Sequence, residues 1–135
     1  MFSKKIEINL EKPDDIIHLE PISDIHIGHA GFDEEHYKKR IKAISKDKNR
    51  YTFFGGDALD AITTYDKRFN PDMSLEHDID NQRLRWQNLS QKLFDIHAEQ
   101  KNEKVWGFFH GNHDYKIPQI SRAYLQNTMC TPNNL

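Results

Sequence analysis

The chain carries one cysteine, Cys130, so no disulfide can form within it. A crosslinked framework of the secreted kind is excluded, and a reducing, cytoplasmic setting is the expectation. Long apolar runs are missing too. No stretch approaches the roughly 20 residues a membrane helix needs, so no membrane association is expected. Met1-Phe2-Ser3-Lys4-Lys5 leads into alternating residues, not an apolar core of a leader, so no secretory signal is expected. Charge of one sign is not in excess. The 19 basic and 21 acidic residues leave a net −2, which argues against gripping nucleic acid by bulk positive field. Six glycines and five prolines in 135 residues exclude collagen-like and low-complexity sequence. The remainder, 36% apolar, suffices for the core of one domain spanning 1–135.

The apolar pattern gives the elements. Ile6, Ile8 and Leu10 alternate with polar residues, which predicts a strand over 5–11. Pro13-Asp14-Asp15 reads as a turn, and 16–22 as a second strand, so the two are expected to form a hairpin. Asp33-Glu34-Glu35 places negative charge at a helix start, and Tyr37, Ile41 and Ile44 follow at helical spacing to about residue 46. Residues 50–54 form a short strand ended by Gly55-Gly56, and 63–75 a loop. A long helical stretch over about 76–101 carries Ile79, Trp86, Leu89, Leu93 and Ile96 on one stripe, with Trp86 in the core. Residues 105–109 form another strand, and 117–129 a last helix with Pro118 in its first turn. Strands alternating with helices predict an α/β layered domain. The phenylalanines at 53, 54, 108 and 109 are expected in its core.

Three short clusters carry the chemistry. Asp24-Ile25-His26 follows one strand, Gly56-Asp57-Ala58-Leu59-Asp60 the next, and Gly111-Asn112-His113-Asp114 the last. Each stands just past the carboxyl end of a strand, where open α/β sheets place ligands, so three loops should converge on one rim. Carboxylate and imidazole together suit Mn, Fe, Zn or Co, and no cysteine contributes a thiolate. In extended backbone, residues i and i+2 point the same way, so Asp24 and His26 can reach one ion. Asp95-Ile96-His97 repeats the tripeptide inside the long helical stretch. There, i and i+2 lie on widely separated faces, and the copy is assigned to helix surface and packing.

The three clusters, in this order, resemble the calcineurin-like metallophosphoesterase superfamily, whose pattern is D-x-H, G-D-x-x-D or N, then G-N-H-D or E. The likeness runs from about residue 16 to 115. It implies an α/β fold, the N-terminal portion of a four-layer αββα sandwich. It also implies a metal-dependent phosphoesterase, cleaving phosphodiesters or phosphomonoesters with two divalent ions, manganese first, and a hydroxide shared between them. By that likeness Asp24 and His26 bind the first metal and Asp57 bridges both. Asn112 binds the second through its amide oxygen, without adding charge. His113 is no ligand; it stabilises the phosphoryl group or protonates the leaving oxygen. Asp60 orients His113 through its other ring nitrogen. Asp114 is assigned a structural role.

The family pattern continues with a lone His and a G-H-x-H motif, and residues 114–135 contain no histidine. Four of the usual seven protein ligands are therefore at hand. The expectation is a chain truncated at its C-terminus, with weakened metal binding, poor activity alone and uncovered apolar sheet faces. His29 and His110 stand beside the motifs as substitute ligands, although bystander roles fit them better. A competing reading is a truncated, non-catalytic module. Within the enzyme class, Asp24-Ile25-His26-Ile27-Gly28 followed by the Gly111 cluster is similar to SbcD-like nucleases, so nucleic acid stands among the admissible substrates. A protein phosphatase fits less well, because that branch carries Arg after the second Asp of the middle motif, and here Ala61 stands there. The basic run from Lys38 to Arg50 reads as a solvated helix face. Tyr65, Lys67 and Arg68 are the candidates for substrate contact, because their loop should border the site.

Overall fold

The computed structural model describes residues 5–100, 104–109 and 111–113. Five elements follow one another: β1 (His18–Ile22), α1 (Glu34–Lys46), β2 (Arg50–Phe54), α2 (Ile79–Gln100) and β3 (Val105–Phe108). The three strands form one parallel sheet in the order β1-β2-β3. This bears out the α/β layering. Parallel strands need crossovers, and the two helices supply them.

The hairpin is not formed. Residues 5–10 take no regular structure, and pairing starts at His18, which lies opposite Arg50. The Asp15 carboxylate folds the preceding turn by accepting from the Glu11 and Lys12 N–H groups. The His18 N–H at the start of β1 donates to Asn49 O and the Asp24 N–H just past its end to Gly56 O, so even-numbered donors address β2. Odd positions face the other edge, and Pro21 has no N–H to offer a further strand there. The expected helix over 117–129, Cys130, Asp114 and His110 lie outside the described residues.

Both helices start on an aspartate. Asp33 Oδ1 accepts from the His36 N–H at 2.9 Å, and Glu34 and Glu35 occupy the first turn of α1. Asp78 Oδ1 accepts from the Asn81 N–H at 3.0 Å. That cap fixes the start of α2 at residue 79, three residues later than periodicity alone suggests. Glu76 is unavailable to the helix, because its N–H donates to Gly28 O.

The core lies between the sheet and the two helices. Tyr37, Ile41 and Ile44 of α1 meet Trp86 and Leu93 of α2 over Ile22, Phe54 and Val105. The Tyr37 hydroxyl and Ser90 Oγ, 2.7 Å apart and buried, join the helices. Trp86 is fully buried, as its place on the stripe predicts. β3 carries a bulge: Val105 pairs with Thr52 and Phe108 with Phe54, so Trp106 and Gly107 together oppose Phe53. The extra residue returns Phe108 to the helix side, where its ring stacks on Phe54 at 5.0 Å. It also sends Phe109 to the opposite side against Phe53, with 63% of its surface exposed. Phe54 and Phe108 thus belong to the core, whereas Phe53 is half-buried and Phe109 is not a core residue. No helix among the described residues is long and apolar enough to cross a membrane.

Candidate metal centre

The strand ends continue as a stitched pair of loops. Past β1 and β2, Asp24 N–H donates to Gly56 O, His26 N–H to Asp57 O and Ile27 N–H to Ala58 O, all at 3.0–3.1 Å. Asp60 N–H returns the bond to Ile27 O at 3.0 Å. Within this ladder the backbone is left-handed at Asp24 (φ 53°), His26 (φ 50°), Asp57 (φ 51°) and Ala61 (φ 52°). Aspartate and histidine are the types that enter this region most readily, and an L-alanine there costs about 1–2 kcal/mol. Such backbone persists only where the surroundings impose it, and it gathers at functional sites. Asp24 and His26 therefore meet by left-handed turns, not by the extended geometry expected from their spacing.

Donor atoms of Asp24, His26 and Asp57 lie within 4.8 Å of one another. A second trio, His26, Asp60 and His113, meets the same criterion, so His26 belongs to both. Asp57 and Asp60 are buried, His26 is partly exposed and Asp24 faces solvent. Asn112 is exposed, in the turn between Gly111 and His113. The third loop is clamped onto the second: the His113 N–H donates to Asp57 Oδ1 at 2.8 Å. The approach at Gly111 is so close that a Cβ there would overlap the Asp57 carboxylate and backbone N. Only glycine fits.

The tautomer of His113 follows from its neighbours. Nδ1 bonds the Asp60 backbone carbonyl, which can only accept. Nε2 lies 3.3 Å from the Arg68 guanidinium, which can only donate. Both contacts require Nδ1–H and a free lone pair on Nε2. The Asp60 carboxylate stands 3.8 Å from His113 Nδ1 and 3.5 Å from His26 Nδ1, so it lies between the two imidazoles. The rings themselves meet edge to face at 4.6 Å. Asp60 is 1% exposed, and its Oδ2 has no hydrogen-bond partner among the described residues. A buried carboxylate oxygen without a donor is costly unless positive charge stands close. That orphaned oxygen, together with the oxygen- and nitrogen-bearing donor set around it, fits a divalent cation.

One residue with no motif to announce it holds the loops in place. Gln82, fully buried on α2, accepts the Ala61 N–H at 3.0 Å through Oε1 and donates through Nε2 to Glu76 O. A Cβ at Gly28, whose φ is 106°, would collide with that amide. The signal in the sequence is an amide four residues before Trp86, on the apolar stripe. Arg68, named from its loop, does reach the site, whereas Tyr65 is 98% exposed. His29 Nδ1 accepts from the Gly31 N–H at 3.0 Å. A groove of about 340 Å³ runs from Asp24 past Phe32 and Asp33 to His36 and Arg40. The second Asp-Ile-His copy does not converge: Asp95 accepts from Gln91, and His97 Nδ1 accepts the Val105 N–H at the start of β3.

No family model, curated protein or solved structure matches this chain.

Proposed function

We propose that the chain is a metal-dependent phosphoesterase domain of the calcineurin-like type, and that its sheet is one of the two in an αββα sandwich. The observation that carries this reading is the meeting of three separate strand-end loops on one pair of donor trios sharing His26. Asp24, His26, Asp57 and Asn112 would hold two divalent ions, manganese first. Such ions lower the pKa of water and neutralise charge on phosphoryl oxygens.

The chain's own residues have distinct tasks. Asp57 supplies a buried anion to the first trio and receives the His113 N–H, so metal binding and the position of the third loop are linked. Asp60 braces both imidazoles. Its carbonyl sets the tautomer of His113, and its carboxylate lies beside His26. With Nδ1 committed to Asp60, Nε2 is the nitrogen of His113 that can address a phosphoryl or leaving oxygen.

Calorimetric titration of Mn²⁺ into the full chain tests the reading, with hydrolysis of bis-p-nitrophenyl phosphate and p-nitrophenyl phosphate read alongside. The expected result is Mn²⁺ binding that Asp57→Asn abolishes, and Mn²⁺-dependent release of p-nitrophenol from at least one ester. Binding that survives Asp57→Asn unchanged, or hydrolysis indifferent to chelation, overturns it.

A further inference from the structure

We infer that Arg68 is the phosphate anchor of this site, and that in the ligand-free chain it is lent to His113. The inference rests on the phosphoesterase reading and adds a residue and an event to it. Arg68 follows Asp60 by eight positions, on the segment between the second loop and α2. Its guanidinium is aimed, not loose. Asp66 Oδ1 takes Nε at 3.0 Å and Asp66 Oδ2 takes the second terminal nitrogen, NH2, at 2.8 Å. This two-point pair fixes the plane of the fork. It leaves the remaining terminal nitrogen, NH1, which is the one standing 3.3 Å from His113 Nε2. The segment itself is tied down beside the first loop: Ala30 N–H donates to Met73 O, and His29 bridges to Ser74.

A neutral imidazole lone pair is a modest acceptor for guanidinium. A phosphate oxygen is charged and matches the fork, so it competes well for the same N–H groups. Nε2 and NH1 stand against each other, so a phosphate arriving at Nε2 meets NH1 directly. The exchange has two effects at once. The anion gains a cationic donor, and His113 Nε2 loses the partner that covers it. Asp66 offsets part of the charge of Arg68, so the clamp holds the guanidinium ready, and among the described residues NH1 meets His113 Nε2.

The test uses the full chain, metal-free and Mn²⁺-loaded, with inorganic phosphate as probe and ¹⁵N-labelled histidine as reporter. Arg68→Ala is expected to weaken phosphate binding by about tenfold or more, the scale of one hydrogen bond to a charged group. Mn²⁺ affinity should not change. In wild type, phosphate should move the His113 Nε2 resonance toward its position in Arg68→Ala, whereas in that variant phosphate should leave it still. Arg68→Lys should recover part of the phosphate affinity, which a purely structural role would not predict. A thermal melt of each variant separates loss of the anchor from loss of fold. Phosphate affinity unaltered in a folded Arg68→Ala, no phosphate binding by wild type, or an Nε2 resonance indifferent to phosphate each overturns the inference. Failure of Mn²⁺ binding with Arg68-dependent phosphate binding intact would instead count against the phosphoesterase reading alone.

Discussion

At the scale of single residues, two positions set what the rim tolerates. Gly111 lies against the Asp57 carboxylate, with no room for one more carbon. Gly111→Ala must push the third loop away or rotate Asp57, and either breaks the bond from the His113 N–H. The expected outcome is loss of Mn²⁺ binding by calorimetry, with a destabilisation of about 1–3 kcal/mol typical of overpacking. A variant that binds Mn²⁺ as well as wild type would show that the loop can retreat without cost. Gln82 is the second case. Gln82→Leu fills the same space but strands the Ala61 N–H and the Glu76 carbonyl, so it should cost about 2–4 kcal/mol in urea unfolding. It also frees Ala61 from the bond that helps hold φ at 52°, so the loop carrying Asp60 should exchange its amide protons faster. A neutral effect in both measurements would remove Gln82 from the account.

At the scale of elements, much was legible and the reasons can be named. α1 announces itself by Asp33, Glu34 and Glu35 before Tyr37, Ile41 and Ile44, and β2 by a dense run of β-formers closed by two glycines. The site loops were legible as composition and place, three clusters at strand ends. Their backbone was not, because left-handed turns at Asp24 and His26 are imposed by the ladder to the second loop, a long-range effect. The expected strand over 5–11 has the right alternation but finds no partner among the described residues, and alternation alone cannot supply one. The bulge in β3 shifts the parity of Phe108 and Phe109, which no local pattern records. A pH prediction belongs here as well. Lys38 and then Arg85, from α2, hold the Glu34 carboxyl below its usual value of 4.5. A lowered folded pKa means stability that is present above the unfolded value and lost as pH falls through the folded one. The difference in urea midpoint between wild type and Glu34→Gln should therefore be present at neutral pH and shrink as pH falls below the usual carboxylate value. Its size should stay within about 1 kcal/mol, since the carboxylate is partly exposed. A gap that widens on acidification would have the sign wrong.

At the scale of the whole molecule, the sheet and helices exist with their own core, and the rim sits on top as a concentration of like charge. Asp24 and Asp57 are held with donor atoms within 4.8 Å, and Asp60 is buried beside them with one oxygen that no described residue satisfies. Close carboxylates repel, so without a cation the rim should work against folding. Asp57→Asn removes one of those charges and can keep the bond from the His113 N–H through its amide oxygen. The metal-free variant should thus melt at a higher temperature than metal-free wild type, by the equivalent of about 0.5–1 kcal/mol, a usual gain when a functional charge is removed. Adding Mn²⁺ should reverse the order. Wild type gains about 2.7 kcal/mol at a hundredfold excess over its dissociation constant, and the variant gains nothing. Two melting curves that cross on adding metal are the signature of a site whose charge is organised around a cation. If Asp57→Asn melts below wild type under both conditions, Asp57 serves the fold first, through its bond to the third loop, and the crowding of acids at the rim is not the cost assigned to it here.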